Sequence, residues 1–440
     1  MPERLTARPL RTRVRPAEVF RMLERRAVDV FWLDAGVDAT DGWSFVGTGT
    51  PSALPEDVDL AAADDEDPAL PPFLGGWVGW RDYESGAAAA GAPTRTEDPE
   101  STLSWLRVTR AVAFDHASGR AWALSSAEDE QSWTEAVEES RTQPEPEGAE
   151  RPAPGPLRAE ARHDPREYAV LIERCRDLIR AGIAYQLCLT TRFTVAGAHD
   201  AARVYSHLRS ATPSHHGGFV RIGGRSLLSA SPEQFLHVRG GVVRTRPIKG
   251  TRPRSTDPVQ DAELAAELAA DRKERAENVM IVDLMRNDLS RVCVPGSIRV
   301  DGLWTVESYP AVHQLVSTVS GAAAPGTTVG ALLAATFPAG SMTGAPKLSA
   351  MTRLHELEGG PRGVYAGCFG YIGVDGAVDL AMVIRSILID AAGAAVGAGG
   401  GITWGSVAAA EVAEVATKAK APLAALGAEL PVPWGSDILN

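Results

Sequence analysis

Lys249 stands at the tip of a tight turn in Arg246-Pro-Ile-Lys-Gly-Thr-Arg-Pro-Arg254, where Gly250 lets the backbone bend closely around a ligand. A lysine so placed can clamp a phosphate or carboxylate, act as a nucleophile, or remain a solvated loop charge. Two acidic helix faces could work beside it. Glu274 and Glu277 are three residues apart and share one face. Glu411, Glu414 and Lys418 fall within roughly 60° of one another on an ideal wheel. Two such faces could offer carboxylate oxygens to one hard divalent cation. Mg2+ takes one or two carboxylates and keeps positions for water and an anionic substrate. Zinc is disfavoured, because no His or Cys accompanies the glutamates. The plain alternative is two solvated helix faces.

Other segments add chemistry. Gly340-Ser-Met-Thr-Gly-Ala-Pro-Lys347 has the glycines of a phosphate loop but lacks its closing Gly-Lys-Ser/Thr, so it fails that pattern. Gly397-Ala-Gly-Gly-Gly401 could expose backbone N–H groups to a carboxylate, or serve as a tight connection. His313, in the apolar run Ala311 to Val316, could relay a proton or be structural. Arg385 interrupts an apolar strand expected from Leu380 to Ile389 and must be paired there, with a substrate carboxylate or a structural one.

The elements that must position these groups are legible from periodicity. Asp164-Pro165 starts a helix whose buried face carries Tyr168, Leu171, Ile172, Cys175, Leu178 and Ile179, and Gly182 ends it. Tyr185 to Val195 alternates as a strand. Tyr185, Leu187, Leu189 and Phe193 fall on one side of it, and Gln186, Cys188, Thr190 and Arg192 on the other. Gly218 to Thr245 is a strand meander broken at Gly-Gly pairs. Helices are expected over Glu263–Asn287 and Val407–Leu426. Strands and helices that do not alternate strictly predict an α+β fold with antiparallel sheets. The acidic stretch 61–67 and the Pro/Glu/Ala-rich stretch 142–163 read as solvated connections. The expected division is 1–145, a linker at 146–163, a main domain at 164–426 and a tail at 427–440.

The 440 residues suffice for a sizeable core, and 44% hydrophobic with 23% charged residues is ordinary for a globular protein. A net charge of −12 argues against general nucleic-acid binding. Four scattered cysteines without metal-ligand spacing fit a cytoplasmic, disulfide-free chain, and no apolar run suggests a membrane span or secretory signal.

Taken together and in order, these segments resemble the chorismate-utilising enzymes, the family of anthranilate synthase component I, aminodeoxychorismate synthase component I and the isochorismate and salicylate synthases. The resemblance rests on Tyr185–Phe193, Ser231-Pro-Glu-Gln-Phe-Leu236, Pro247-Ile-Lys-Gly-Thr251, Glu277–Asp288, His313-Gln-Leu-Val-Ser317, Gly340–Lys347, Tyr365–Ile372 and Gly397–Gly401. It spans nearly all of residues 165–425. Phe31-Trp-Leu-Asp-Ala35 and Gly75-Gly-Trp-Val-Gly79 are similar to the family's first segment. The implied fold is a sandwich of two large antiparallel sheets flanked by helices.

The resemblance also implies roles. Mg2+ on Glu277 and Glu414, aided by Glu274 and Glu411, would hold the ring carboxylate of chorismate. Arg385, Tyr365 and the N–H groups of Gly399, Gly400 and Gly401 would hold the enolpyruvyl carboxylate, with Lys418 adding charge near the metal. Gln186, Thr251 and Ser341 would border the substrate, and His313 would assist catalysis. Isochorismate and salicylate formers carry a lysine where this chain has Gln186, which disfavours water addition. Anthranilate synthases usually show Ala at the position of Lys249, whereas aminodeoxychorismate synthases show Lys. The implied route is attack of an uncharged Lys249 on ring carbon 2, with Glu233 protonating the departing hydroxyl, followed by ammonia. No glutaminase motif surrounds any cysteine, so ammonia is expected from a separate glutamine amidotransferase subunit or from solution. Anthranilate synthase component I and a non-catalytic chorismate-binding subunit remain the rival readings. Cys188, Asp82 and the segment Trp404–Ala410 depart from the family's pattern.

Overall fold

Asp164 begins the main body of the fold as its sequence requires. Its carboxylate accepts the backbone N–H groups of Arg166 and Glu167, Glu167 reaches back to the Asp164 N–H, and Pro165 fills the first turn. The computed structural model describes residues 3–60, 69–95, 103–141, 157–309 and 312–435. The acidic stretch 61–67 and residues 142–156 of the proline-rich stretch lie outside them. The Pro165–Arg180 helix buries Tyr168, Leu171, Ile172 and Cys175. The Tyr168 hydroxyl donates to Leu189 O at 2.7 Å, fixing this helix on the Gln186–Ala196 strand.

That strand is the axis of the site. It pairs antiparallel with the Gly393–Ile402 strand from Ala196 opposite Gly393 to Leu187 opposite Ile402. Its residues Gln186 to Thr191 are all buried, so the polar face faces protein, not solvent. Tyr185 is a correction: it precedes the ladder, donates to Ala345 O, and is exposed. The meander is as expected, with strands His216–Ile222, Arg225–Ser231, Gln234–Arg239 and Val242–Thr245.

The α+β antiparallel class holds, and the pairing is continuous: among the described residues, twenty strands form one network. The expected division at 146–163 does not separate two bodies. Val30–Asp34 pairs with His216–Ile222, and Gly76–Arg81 pairs with Cys368–Gly373, so the first third completes sheets begun by the rest. The end of the expected linker and the tail also belong to the fold. Leu157–Arg158 pairs parallel with Ala428–Glu429, and Trp434 is buried against Tyr168 and Phe193.

Two further expectations are corrected. The helix over Glu263–Asn287 is two helices, Pro258–Ala270 and Arg272–Ser290, because Asp271 caps a new start by accepting the N–H groups of Lys273 and Glu274. The strand over Leu380–Ile389 is broken into Val378–Met382 and Ser386–Asp390, with Arg385 at φ 52° between them.

A buried ion pair locks the site strand to its neighbours. Gly359, at φ 69°, ends the Lys347–Glu358 helix and turns the chain so that Arg362 re-enters the core. Arg362 binds both Glu358 oxygens, at 2.6 and 2.8 Å, and also donates to Met342 O at 2.6 Å and Cys188 O at 2.8 Å. Glu358 in turn accepts the N–H and hydroxyl of Thr190, each at 2.9 Å. Removing one partner strands a buried charge. Arg362→Met should therefore lose roughly 3–5 kcal/mol in denaturant unfolding, and adding Glu358→Gln should restore part of it.

Candidate functional site

Strand geometry brings Lys249 to the end of the central ladder, where Gly401 lies opposite Cys188 and against the Gln186 side chain. Lys249 is not at the tip of a turn, as its sequence suggested, but lies in the Ile248–Pro253 strand, whose pairing with Val312–Ala322 slips between Ile248 and Thr251. A Cβ added to Gly401 would sit 2.6 Å from Gln186 Nε2 and 3.6 Å from Lys249 Nζ, so the missing side chain makes room for both groups. Gln186 is fully buried, yet its Oε1 and Nε2 have no hydrogen-bond partner in the described structure. Leaving both unmet is costly unless a ligand meets them. Gly250 differs from its expected role: at φ 82°, its bare Cα is approached by Glu274 and Leu268.

Glu233 and Ser341 join this group. Ser341 Oγ donates to Glu233 Oε1 at 3.1 Å. Burial pushes the Glu233 carboxyl up to about 7, even though Lys249, the Ser341 hydroxyl, Lys418 and the Ile248 N–H all favour its charged form. A carboxylic acid still protonated near neutrality is a competent proton donor.

The two glutamate-bearing helices face each other across Lys273. Its Nζ lies 3.7 Å from Glu277 Oε1 and 3.9 Å from Glu411 Oε1. Glu277 Oε1 is buried and accepts no hydrogen bond. Burial raises the pKa values of Glu274, Glu277 and Glu411. At Glu414 burial works in the same direction, but the Lys418 ammonium outweighs it and the pKa is lowered. Lys418 Nζ is 2.6 Å from Glu414 Oε1 and donates to Gly399 O at 2.9 Å. A Cβ on Gly400 would meet Glu411 Oε2 at 3.2 Å, which sets this acidic cluster against the glycine strand. Among the described residues, no three His, Cys, Asp or Glu groups converge to enclose a metal unaided. The donors are all hard oxygens, which suits a cation that completes its shell from water and substrate.

For Gly397 to Gly401 the alternative of a tight connection is overturned. They form no turn but lie inside the Gly393–Ile402 strand. Its pairing with Ser386–Asp390 ends at Ala395, and among the described residues no strand continues that edge toward Gly401. The Tyr365 ring covers Gly397, where a Cβ would be only 2.1 Å from Tyr365 Cγ. Arg385 and Tyr365 are placed together through Ala366, at φ 64°, whose N–H donates to Val383 O. Two non-glycine residues in this conformation are costly, and such strain concentrates at working sites. Arg385 is largely enclosed, burial lowers its pKa, and its guanidinium has no ion-pair partner among the described residues.

Two expected residues have other surroundings than a free catalytic group would. His313 is buried opposite Arg252, and its ring nitrogens are taken by Ser308 Oγ at 2.8 Å and Asp261 Oδ1 at 3.0 Å. Thr251 is exposed beyond the Gly250 bulge. Sequence reasoning missed Arg362, Glu358 and Lys273. Lys273 with Glu277, and Glu358 with Arg362, each left the same signal, an i,i+4 spacing of opposite charges. A cavity of about 330 Å3 opens elsewhere, between Leu33, Trp43, His215, His237, Tyr371 and Asp379, and none of the candidate residues lines it.

A half-buried lysine, a carboxyl that burial pushes up to about 7, an arginine without an ion-pair partner among the described residues and an oxygen-rich acidic cluster form an arrangement that can bind a small anion. Residues 36–424 match the family described as chorismate binding enzyme, and the chain belongs to that family. It is 41% identical to the aminodeoxychorismate synthase of Streptomyces pristinaespiralis over 80% of this chain and 50% of that one. It is 38% identical to anthranilate synthase component 1 of Streptomyces coelicolor over 82% and 74%, respectively. The crystal structure of anthranilate synthase component I from Streptococcus pneumoniae superposes with a TM-score of 0.74 at 29% identity, covering 90% of this chain and 92% of that one. The chain spans about half the length of the two aminodeoxychorismate synthases it resembles at 41% identity. All four cysteines are free and buried, and no helix among the described residues is long and apolar enough to cross a membrane.

Glu233 gives a pH-dependent prediction. Its folded pKa lies above the unfolded value, so its contribution is neutral below about 4.5 and becomes unfavourable as pH rises through about 7. Glu233→Gln should be as stable as the parent at pH 4 and more stable above pH 7, by on the order of 3 kcal/mol. Denaturant midpoints across that range measure it.

Proposed function

We propose that this chain aminates chorismate to 4-amino-4-deoxychorismate. The carrying observation is Lys249 Nζ beside the buried, unpartnered amide of Gln186, at the step where Gly401 leaves space. The presence of Lys249, where anthranilate synthases usually have Ala, supports amination without pyruvate loss.

The residues divide the work. Glu277 and Glu414, with Glu274 and Glu411, would hold Mg2+, which when bound neutralises and orients the ring carboxylate. Arg385 and Tyr365, with the open edge of the glycine strand, would take the enolpyruvyl carboxylate. The Lys249 lone pair forms a bond to ring carbon 2, both ring double bonds shift by one position, and the bond from carbon 4 to its hydroxyl breaks. Glu233 gives its proton to that hydroxyl, which leaves as water. Ammonia then bonds to carbon 4, both double bonds return, and the amine leaves carbon 2 to regenerate Lys249, the proton given up by the added ammonia passing to the departing amine. Gln186 can orient groups by hydrogen bonds but cannot deprotonate water, which weighs against hydroxylation at carbon 2. The ammonia is expected from a separate glutamine amidotransferase.

The test uses chorismate, Mg2+ and ammonium at alkaline pH. An aromatic product should appear only after aminodeoxychorismate lyase is added, whereas immediate anthranilate fluorescence would assign the chain to the other branch. Intact mass of acid-quenched enzyme should show chorismate less water on the Lys249 peptide. Lys249→Ala should lose that adduct and at least about 100-fold in kcat. Undiminished turnover by Lys249→Ala would remove the covalent route.

A further inference from the structure

We propose that Lys273 is an internal counter-ion for the metal cluster, bridging the two glutamate-bearing helices until a divalent cation displaces it. The inference rests on the reading that these glutamates hold Mg2+.

Three observations carry it. The Lys273 ammonium lies almost equally far from Glu277 Oε1 and Glu411 Oε1, at 3.7 and 3.9 Å, and so spans carboxylates from two different helices. Both acids are buried, and Glu277 Oε1 accepts no hydrogen bond at all. The ammonium is therefore held there by charge rather than by directional bonds. Lys273 itself has a side chain 56% exposed, so a change of rotamer returns its charge to water without disturbing the core. Lys418 behaves differently: a 2.6 Å contact to Glu414 and a 2.9 Å bond to Gly399 O fix it in place.

The physical consequence is competition. Two carboxylate faces brought together without a cation repel one another, and Lys273 relieves that repulsion in the metal-free protein. A doubly charged ion entering between the helices repels the ammonium and must drive it outward. Lys273 thus keeps the cluster assembled and lowers its affinity for metal. A purely structural surface pair would keep the helices together without opposing metal entry.

Calorimetric titration of the full chain with Mg2+ alone, without substrate, separates these roles. Lys273→Met should bind Mg2+ about tenfold more tightly than the parent. Its metal-free melting temperature should fall by several degrees and be restored by Mg2+. Lys273→Arg, which keeps the charge, should bind no more tightly than the parent. Unchanged or weaker Mg2+ binding by Lys273→Met overturns the proposal, and if Glu277→Gln then abolishes binding the metal reading survives. Absence of Mg2+ binding in parent and Lys273→Met alike overturns both.

Discussion

The buried Arg362 guanidinium is the interaction on which the rest of the site depends. It joins the end of the Lys347–Glu358 helix, the Ser341-bearing loop through Met342 O, and the central strand through Cys188 O. Glu358 closes the circuit on Thr190. The Tyr83 ring packs over the guanidinium with its centroid 4.3 Å away, and Glu84 accepts the N–H groups of Arg362 and Gly363. One charge pair thereby fixes the relative positions of the first third of the chain, the strand carrying Gln186, and the loop that directs Ser341 to Glu233. Satisfied networks of this kind rigidify a core because every alternative leaves a buried charge unmet.

Within that frame the acidic groups carry lysine counter-ions of their own. Glu274, Glu277, Glu411 and Glu414 gather on one side, with Lys273 and Lys418 among them. Arg385, without a carboxylate of its own among the described residues, waits beside Tyr365. On the proposed reading, a molecule with two carboxylates is held at both ends, one through a cation and one by the guanidinium. Glycines 397 to 401 let this happen at close range. Any side chain at 397 would strike Tyr365, and one at 401 would strike Gln186.

Lys249 and Glu233 show how far local sequence reached. A lysine in a Gly-containing turn after a meander could be read as a candidate group, and the family's ordered motifs sharpened it. The Gly397–Gly401 run stayed open between two readings, because glycine marks turns and also strands where another group must approach closely. The unbroken helix over Glu263–Asn287 misled, since Asp271 is compatible with helix by composition yet acts as a cap. His313 looked functional from its type, but Ser308 and Asp261 claim both ring nitrogens from separate elements.

The sequence by itself determined the class of fold, the amphipathic helices, the meander and the identities of the groups that could act, because these follow from periodicity, capping and residue chemistry within a few positions. Only the tertiary structure decided which of them meet. Arg362 reaches Cys188 across 174 positions and Ser341 reaches Glu233 across 108. Such contacts are set by strand register and by the demand that buried charges and amides find partners, and neither leaves a mark in any short stretch of sequence.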